Sequence, residues 1–265
     1  MTAEPVTWRP HAGRLAAEVA GPDGAPRMVF VHGFTQTGNS WKPVAEHFVR
    51  TGHQCVVLDL PGHGGSGHLR ADLRRTADMV ASVGGQGVYV GYSLGARVAL
   101  HVALLYPHEV DGVVLIGANP GIDSDTERAL RRDADDRLAV RIEEIGLQQF
   151  LEEWTAQPLF GALTPQQVDL ADRMRNTVEG LASSLRHSGT GTQMPLWSRL
   201  RELSMPVLAI AGADDPKFAA IALQMGEAAP DGRSVLVQDA AHAAHVQQPA
   251  AVIEAIERWL RRQPN

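Results

Sequence analysis

The stretch VYVGYSLGAR, residues 88–97, decides the fold. Val88–Val90 has the β-branched and aromatic composition of a buried strand, and an apolar helical pattern begins at Leu94. The pattern Gly91-x-Ser93-x-Gly95 therefore falls where a strand turns sharply into a helix. Such a turn crowds the serine backbone, and glycines on either side remove side chains that would clash. We expect the Ser93 hydroxyl to stand exposed as a nucleophile; the alternative is an ordinary serine N-cap.

Short β-branched runs alternate with longer amphipathic stretches along the chain. We predict buried strands at Met28–Val31, Cys55–Leu60, Val88–Val90, Val113–Ile116, Val207–Ile210 and Val235–Val237. Helical patterns occupy Trp41–Arg50, Leu94–Tyr106, Ala219–Ala228 and Ala250–Arg262. This alternation predicts an α/β fold, a mostly parallel sheet flanked by helices.

The strand signal disappears between Asn119 and Met205. That segment is rich in Arg, Asp and Leu with helical periodicity, and Pro158, Pro165 and Gly189–Gly191 interrupt it. We therefore predict a core formed by residues 1–118 and 206–265, with a helical lid inserted at residues 119–205.

Composition limits the partners and the location. The 265 residues carry a formal charge of −6 without long charge runs, which argues against nucleic acid as the main partner. Met1–Pro10 lacks the apolar core of a secretion signal, and no apolar stretch is long enough for membrane insertion. The single cysteine, Cys55, cannot form an internal disulfide, so a cytoplasmic location is expected. The oligomeric state does not follow from the sequence.

The eleven histidines show no spacing typical of a metal site, so no metal and no cofactor are expected. A second feature supports the serine turn instead. His32-Gly33-Phe34 follows the first predicted strand, where a turn can supply an amide to an oxyanion hole. We predict the Phe34 and Leu94 amides as its donors. Catalytic residues that accompany a Gly-x-Ser-x-Gly turn follow the chain order Ser, acid, His. Because His32 precedes the serine, we expect it to be structural.

The remaining catalytic groups are expected late in the chain, each just after a strand. Asp215 follows the strand Val207–Ile210, with Asp214 as its obvious competitor and Asp239 as a weaker one. His242 follows the last strand, and His245 is the alternative. A neutral imidazole would take the serine proton, and a buried carboxylate would fix its tautomer. We predict Ser93, His242 and Asp215 as the catalytic residues.

Four runs together resemble the α/β-hydrolase fold: Phe30–Phe34, Asp59–Ser66, Gly91–Arg97 and Asp214–Phe218. More narrowly, the chain is similar to the 2-succinyl-6-hydroxy-2,4-cyclohexadiene-1-carboxylate (SHCHC) synthase family of menaquinone biosynthesis. The narrower similarity depends on Arg97, Asn119–Gly121 leading to Arg131, Trp154 with Gln157–Phe160, Arg173 with Asn176, and Lys217-Phe218. It favours Asp215, which directly precedes Pro216, over Asp214.

The resemblance implies a cofactor-independent lyase and not a hydrolase. Members of the family eliminate pyruvate from an enolpyruvyl cyclohexene carboxylate by removing the proton next to a succinyl ketone. Because an oxyanion hole also stabilises an enolate, Ser93 relayed by His242 would act as a general base. The partner would be a small polycarboxylate, with arginine forks suited to its carboxylates. The implied substrate-binding residues are Tyr92, Arg97, Arg131, Trp154, Phe160, Arg173 and Lys217.

Two other functions compete with this interpretation. A hydrolase on the same fold, either a carboxylesterase or a carbon–carbon bond hydrolase, would use Ser93 with water but would not need several cations around one pocket. An inactive scaffold serving as a receptor or binding protein would have no reason to keep Ser93, Asp215 and His242 together.

Overall fold

The structure contains one mixed sheet at its centre. It is a computed structural model that describes residues 5–161 and 163–262. Within these residues its strands are β1 (Arg9–His11), β2 (Ala17–Ala20), β3 (Arg27–Val31), β4 (Gln54–Leu58), β5 (Gly87–Tyr92), β6 (Val110–Ile116), β7 (Val207–Gly212) and β8 (Gly232–Val237). They lie in the order β1-β2-β4-β3-β5-β6-β7-β8. All pairs from β4 to β8 are parallel, whereas β1 and β2 pair antiparallel at one edge. The predicted α/β fold is confirmed.

Some of the helices cover the two faces of this sheet, and others lie between β6 and β7 with a core of their own. They are α1 (Lys42–Arg50), α2 (Leu73–Gly84), α3 (Leu94–Leu105), α4 (Asp125–Ile145), α5 (Leu147–Thr155), α6 (Pro165–Val168), α7 (Leu170–Arg173), α8 (Val178–Ser188), α9 (Pro216–Ala228), α10 (Ala244–Gln247) and α11 (Pro249–Leu260). The six predicted strands correspond to β3–β8, and the four predicted helices to α1, α3, α9 and α11.

Successive residues of a strand pack into two separate hydrophobic cores, because their side chains point alternately to the two faces of the sheet. In β3, Val29 and Val31 pack into the core that contains α2 and α3, whereas Met28 and Phe30 pack into the core that contains α1 and α11. Both faces of the sheet are therefore covered, as a central parallel sheet requires. The loops that contain the predicted site residues follow the carboxyl ends of β3, β5, β7 and β8.

The described residues between β6 and β7 contain helices and no strand. Helices α4 to α8 lie here and build a small core of their own, which includes Ile142, Phe150 and Leu181. The predicted boundaries of the lid at residues 119 and 205 both fall in loops. Residues 1–4, 162 and 263–265, which the predicted core and lid include, lie outside the described residues.

Cys55 lies in the middle of the sheet, on β4. It is fully buried, and its thiol donates to the carbonyl oxygen of Ala45 at 3.4 Å. Burial raises the pKa of this thiol to about 12. The side chain is therefore a small apolar element of the core at neutral pH.

Candidate active site

The predicted sharp turn is present at Ser93, between β5 and α3. Its backbone has φ 51° and ψ −106°, a conformation that residues with a side chain rarely adopt. The Ser93 amide donates to the carbonyl oxygen of Ile116 at 2.8 Å. A Cβ on Gly95 would lie 2.0 Å from the Val31 carbonyl oxygen, and one on Gly91 would lie 2.3 Å from the Gly95 carbonyl oxygen. Packing therefore requires both glycines.

Ser93, His242 and Asp215 form a hydrogen-bonded array. His242 Nε2 lies 3.1 Å from Ser93 Oγ, and His242 Nδ1 lies 3.1 Å from Asp215 Oδ2. Asp215 is buried at the start of α9, where its Oδ1 accepts from the amide of Phe218 at 3.2 Å. Because an ionised carboxylate only accepts, this geometry keeps the neutral imidazole protonated at Nδ1 and leaves Nε2 facing the serine hydroxyl. Asp214, the competing acid, is exposed.

The other competing residues lie apart from this array. His245 Nε2 is 3.5 Å from the side-chain nitrogen of Gln36, and its ring lies 4.5 Å from that of Trp41 and 4.2 Å from that of Tyr92. Burial lowers the pKa of His245 to about 3, so it is a neutral core residue. Asp239 is exposed in the loop after β8.

His32 supports the turn that follows β3. Its Nε2 accepts from the amide of Leu60 at 3.0 Å, and burial lowers its pKa to about 4. Phe34 and Leu94, the predicted oxyanion-hole residues, lie beside Ser93 in the wall of one cavity. Within the described chain, neither of their amides donates to another backbone group. This is what an oxyanion-hole donor requires, and the role of the two amides stays a prediction.

This cavity, of about 200 Å³, lies over Ser93 and His242. Its walls come partly from the loops at the carboxyl ends of the strands and partly from the helices between β6 and β7. The structure brings all the substrate-binding residues implied by the resemblance to this one cavity: Tyr92, Arg97, Arg131, Trp154, Phe160, Arg173 and Lys217.

Arg97 is a buried cation on the helix that follows the serine turn. It lies on the first turn of α3, is only 7% exposed, and forms no salt bridge among the described residues. Its Nη1 makes only long hydrogen bonds, 3.4 Å to the Gly189 carbonyl oxygen and 3.4 Å to Gln193 Oε1. Burial lowers its pKa to about 10, so it stays charged at neutral pH. Arg97 is thus a buried cation beside the catalytic array without a salt bridge among the described residues, and its role in binding substrate stays a prediction.

Arg131 is partly neutralised by an acid that the sequence analysis missed. Its Nε lies 2.8 Å from Oδ1 of Asp135, which is 3% exposed and lines the same cavity. The other oxygen of Asp135 accepts from the amide of Gly191 at 3.2 Å. The i,i+4 spacing on α4 was the available signal for this pair. Ser184 and Ser188 of α8 also line the cavity, and no sequence pattern distinguished them.

The remaining cations lie at opposite depths. Arg173 is buried and donates to the carbonyl oxygen of Val168 at 2.6 Å and to the hydroxyl of Thr35. Burial lowers its pKa. Lys217 is exposed at the rim, with its Nζ 5.8 Å from the centre of the Phe218 ring. Arg173 therefore has a fixed direction, whereas Lys217 can adjust to a ligand.

Aromatic side chains form part of the cavity wall beside the catalytic array. The Phe160 ring lies 6.3 Å from that of His242 and 5.7 Å from that of Trp154, which in turn lies 5.2 Å from the Phe34 ring. Tyr92 lies 5.4 Å from His242, and burial raises its pKa. The cavity thus combines an apolar wall with several cations, which suits an anionic ligand with a hydrocarbon body.

The fold and the site define a class of enzyme. Residues 26–249 match the family model of the alpha/beta hydrolase fold. A thermophilic esterase from Thermogutta terrifontis, solved with malate bound, shares this fold with a TM-score of 0.80 at 24% identity, over 98% of this chain and 99% of that one. The class is thus that of the α/β hydrolases.

More similar proteins narrow the class. The 2-succinyl-6-hydroxy-2,4-cyclohexadiene-1-carboxylate synthase of Salmonella paratyphi C is 34% identical over 93% of this chain and 98% of its own length. The solved structure of MenH from S. aureus has a TM-score of 0.84 at 27% identity, covering 94% of this chain and 99% of that one. The chain therefore belongs to the SHCHC synthase family. The predictions of an enzyme, and of a lyase on an α/β-hydrolase scaffold, are confirmed, and the inactive scaffold is excluded.

A separate observation concerns membranes. Among the helices of residues 5–161 and 163–262, none is both long and apolar enough to span a bilayer.

Proposed function

We propose that the protein eliminates pyruvate from 2-succinyl-5-enolpyruvyl-6-hydroxy-3-cyclohexene-1-carboxylate to give SHCHC, a step of menaquinone biosynthesis. One observation carries the proposal: Arg97, Arg131, Arg173 and Lys217 line the same cavity as Ser93 and His242. This substrate bears three carboxylates and a ring, so its charges and its body match the cations and the aromatic wall.

The proposed reaction begins with proton removal. Ser93 passes its proton to His242 and takes the proton next to the succinyl ketone, so that the ketone oxygen becomes an enolate oxygen held by the amides of Phe34 and Leu94. The electron pair then moves through the ring alkene, and the bond from the ring carbon to the enolpyruvyl oxygen breaks. The leaving group departs as the enolate of pyruvate and takes up a proton. Asp215 holds the imidazole in the required tautomer throughout.

We assign the carboxylates to cations by burial. Arg97, which is buried and forms no salt bridge among the described residues, would hold the carboxylate nearest the reacting carbon. Arg173 would hold a second carboxylate from a fixed position, whereas Arg131 would share its charge between Asp135 and a third. Residues 119–205 supply Arg131, Trp154 and Arg173 to the cavity wall, which supports their proposed role as a lid. The single reduced cysteine supports a cytoplasmic location.

Pyruvate release from the enolpyruvyl precursor by the purified protein tests the proposal. The Ser93→Ala and His242→Ala variants should each lose at least about 10³-fold in turnover, because either change removes the base. Ser93→Ala should still bind the substrate, measured by calorimetry, because the cations are intact.

A neutral ester, p-nitrophenyl acetate, separates the lyase from the competing hydrolase. The wild-type protein should hydrolyse it weakly, since the ester offers nothing to the cations. Brisk ester hydrolysis without pyruvate release would replace the lyase with a carboxylesterase. Near wild-type pyruvate release by Ser93→Ala would exclude Ser93 as the base.

A further inference from the structure

One buried side-chain amide, in the turn that follows α7, joins residues 170–176 to the loop that carries Phe34. We call residues 33–37 the oxyanion loop. Asn176 Nδ2 donates to the carbonyl oxygen of Thr35 at 2.8 Å and to that of Arg173 at 2.8 Å, while its Oδ1 accepts from the amide of Gly64 at 2.9 Å. Asn176 is 4% exposed and is not part of the cavity wall. It therefore ties three segments together from behind the site.

The backbone that Asn176 holds is strained. Thr35, directly after Phe34, has φ 70° and is completely buried. A β-branched residue in this left-handed region costs of order 1–3 kcal/mol, and the conformation persists only where the surroundings fix it. Relaxation of Thr35 would turn the two peptides that adjoin it, and the Gly33–Phe34 peptide, which carries the Phe34 N–H, is the next one in the same short loop and would shift with them.

The other contacts of the oxyanion loop act at its two ends. At the start, the Gly33 amide donates to Gln36 Oε1 at 3.1 Å. Just past the end, Gly38 donates to Asp59 Oδ1 at 2.8 Å. In the middle of the loop, the carbonyl oxygen of Thr35 accepts from Asn176, and the hydroxyl of Thr35 accepts from Arg173. Asn176 is thus the residue outside the cavity that acts on the strained position.

We propose that Asn176 is a positioning residue for catalysis: through the Thr35 carbonyl, it fixes the oxyanion loop so that the Phe34 amide points to the oxygen that becomes negative in the transition state. The proposal rests on the proposed function only for the identity of that oxygen. The segment that we predict to form the lid then also sets the geometry of the reacting site.

Asn176→Leu tests this role because leucine has a similar size and no hydrogen-bonding group. An oxyanion donor acts mainly in the transition state, so its misplacement lowers kcat more than it raises KM. Since one lost donor costs about 10²–10³ in kcat and a displaced one costs less, we expect a fall in kcat of at least about tenfold. KM should change by less than about twofold. Should Asn176→Leu fail to fold, Asn176→Ala is the smaller change for the same measurement.

Asp172→Asn is the matched control, because it weakens the same attachment away from Thr35. Asp172 accepts from the Thr37 hydroxyl at 2.7 Å and from Asn39 Nδ2 at 2.9 Å. Both variants should lower the melting temperature, but Asp172→Asn should keep kcat within about threefold of wild type. An equal loss of kcat in the two variants would overturn the proposal in favour of general attachment of the segment.

A second readout does not depend on the lyase substrate. A fluorophosphonate forms a bond from phosphorus to Ser93 Oγ and expels fluoride, while the serine proton goes to His242 and the phosphoryl oxygen gains charge in the oxyanion hole. The rate of this labelling should also fall at least about tenfold in Asn176→Leu. Wild-type rates of both labelling and pyruvate release would overturn the role of Asn176. A third outcome is possible: the wild-type protein releases no pyruvate, but Asn176→Leu is labelled more slowly than wild type. That outcome would support the role of Asn176 and contradict the proposed function.

Discussion

Asp214 and Asp215 are neighbours in the chain with opposite environments. Asp215 is 7% exposed and contacts His242, whereas Asp214 is exposed. Asp215→Asn would let the imidazole take the wrong tautomer, so we expect a loss of kcat on the order of 10³–10⁴. Asp214→Asn should change kcat by less than about threefold. Steady-state pyruvate release by the two variants makes the comparison, and a larger loss for Asp214→Asn would contradict the geometry.

The arginines should differ in their effect on transition-state binding. Arg97→Ala should cost roughly 2–4 kcal/mol, or one to three decades in kcat/KM, because a buried, charge-assisted contact is lost. Arg131→Ala should cost less, since this side chain is 43% exposed and already paired with Asp135. The measurement is kcat/KM for pyruvate release, with p-nitrophenyl acetate hydrolysis expected to be unaffected. A greater loss for Arg131→Ala would reverse the assignment.

Individual residues were predictable from the sequence where local chain geometry fixes their place. Ser93 lies on a turn whose glycines are themselves part of the pattern, so its environment was readable from five residues. Asn176 depends instead on long-range packing, since it contacts Thr35 across 141 positions of the chain. No local sequence pattern predicts such a contact, so the role proposed for Asn176 could be inferred only from the folded structure.

At the scale of elements, the turn between β5 and α3 should tolerate little change. Gly95→Ala would place a methyl group 2.0 Å from the Val31 carbonyl oxygen, an atom of the central strand that cannot move away. We expect a loss of about 4 kcal/mol or more in the free energy of unfolding, or a failure to fold. Urea denaturation of the purified variant measures this loss.

Gly24→Ala is the control for backbone strain alone. Gly24 has φ 78°, but its added Cβ would meet nothing within 4 Å. It should therefore cost only about 1–2 kcal/mol. Equal losses for the two variants would show that close contact at Gly95 is unimportant.

The elements that the sequence analysis missed have weak local signals. β1 contains a proline and spans Arg9–His11, and β2 is a short mixed run at the edge of the sheet, so neither resembles a buried strand. They form because the edge of β4 that faces away from β3 has backbone groups free to pair with β2, and β2 in turn pairs with β1. α2 had a usable signal, since Asp72 caps it by accepting from the amide of Arg75 at 2.8 Å.

At the scale of the whole molecule, buried histidines should make stability depend on pH. Burial lowers the pKa of His32 to about 4 and those of His63 and His245 to about 3, from an ordinary value of 6.5. The unfolded chain therefore binds protons below pH 6.5 that the folded protein does not bind. The free energy of unfolding should fall as the pH drops from about 6.5 to 5, by up to about 1.4 kcal/mol per pH unit for each histidine.

His245→Phe isolates one of these protons. Phenylalanine keeps the stacking with Trp41 and Tyr92, so the fold should persist while the slope of the free energy of unfolding against pH falls by up to about 1.4 kcal/mol per pH unit. Urea denaturation at steps of half a pH unit gives both slopes. Identical slopes for the two proteins would mean that His245 is protonated in the folded state as readily as in the unfolded one.

The buried thiol of Cys55 makes an absolute count of working molecules possible. Because the one thiol of the chain lies inside the sheet with a pKa of about 12, an electrophile added to the folded protein meets no competing thiolate. A single mass increment per chain, read from intact protein, then gives the titre of reactive serine in a preparation. Turnover numbers of the variants can be divided by that titre, so a preparation that is partly inactive is distinguished from a slower enzyme.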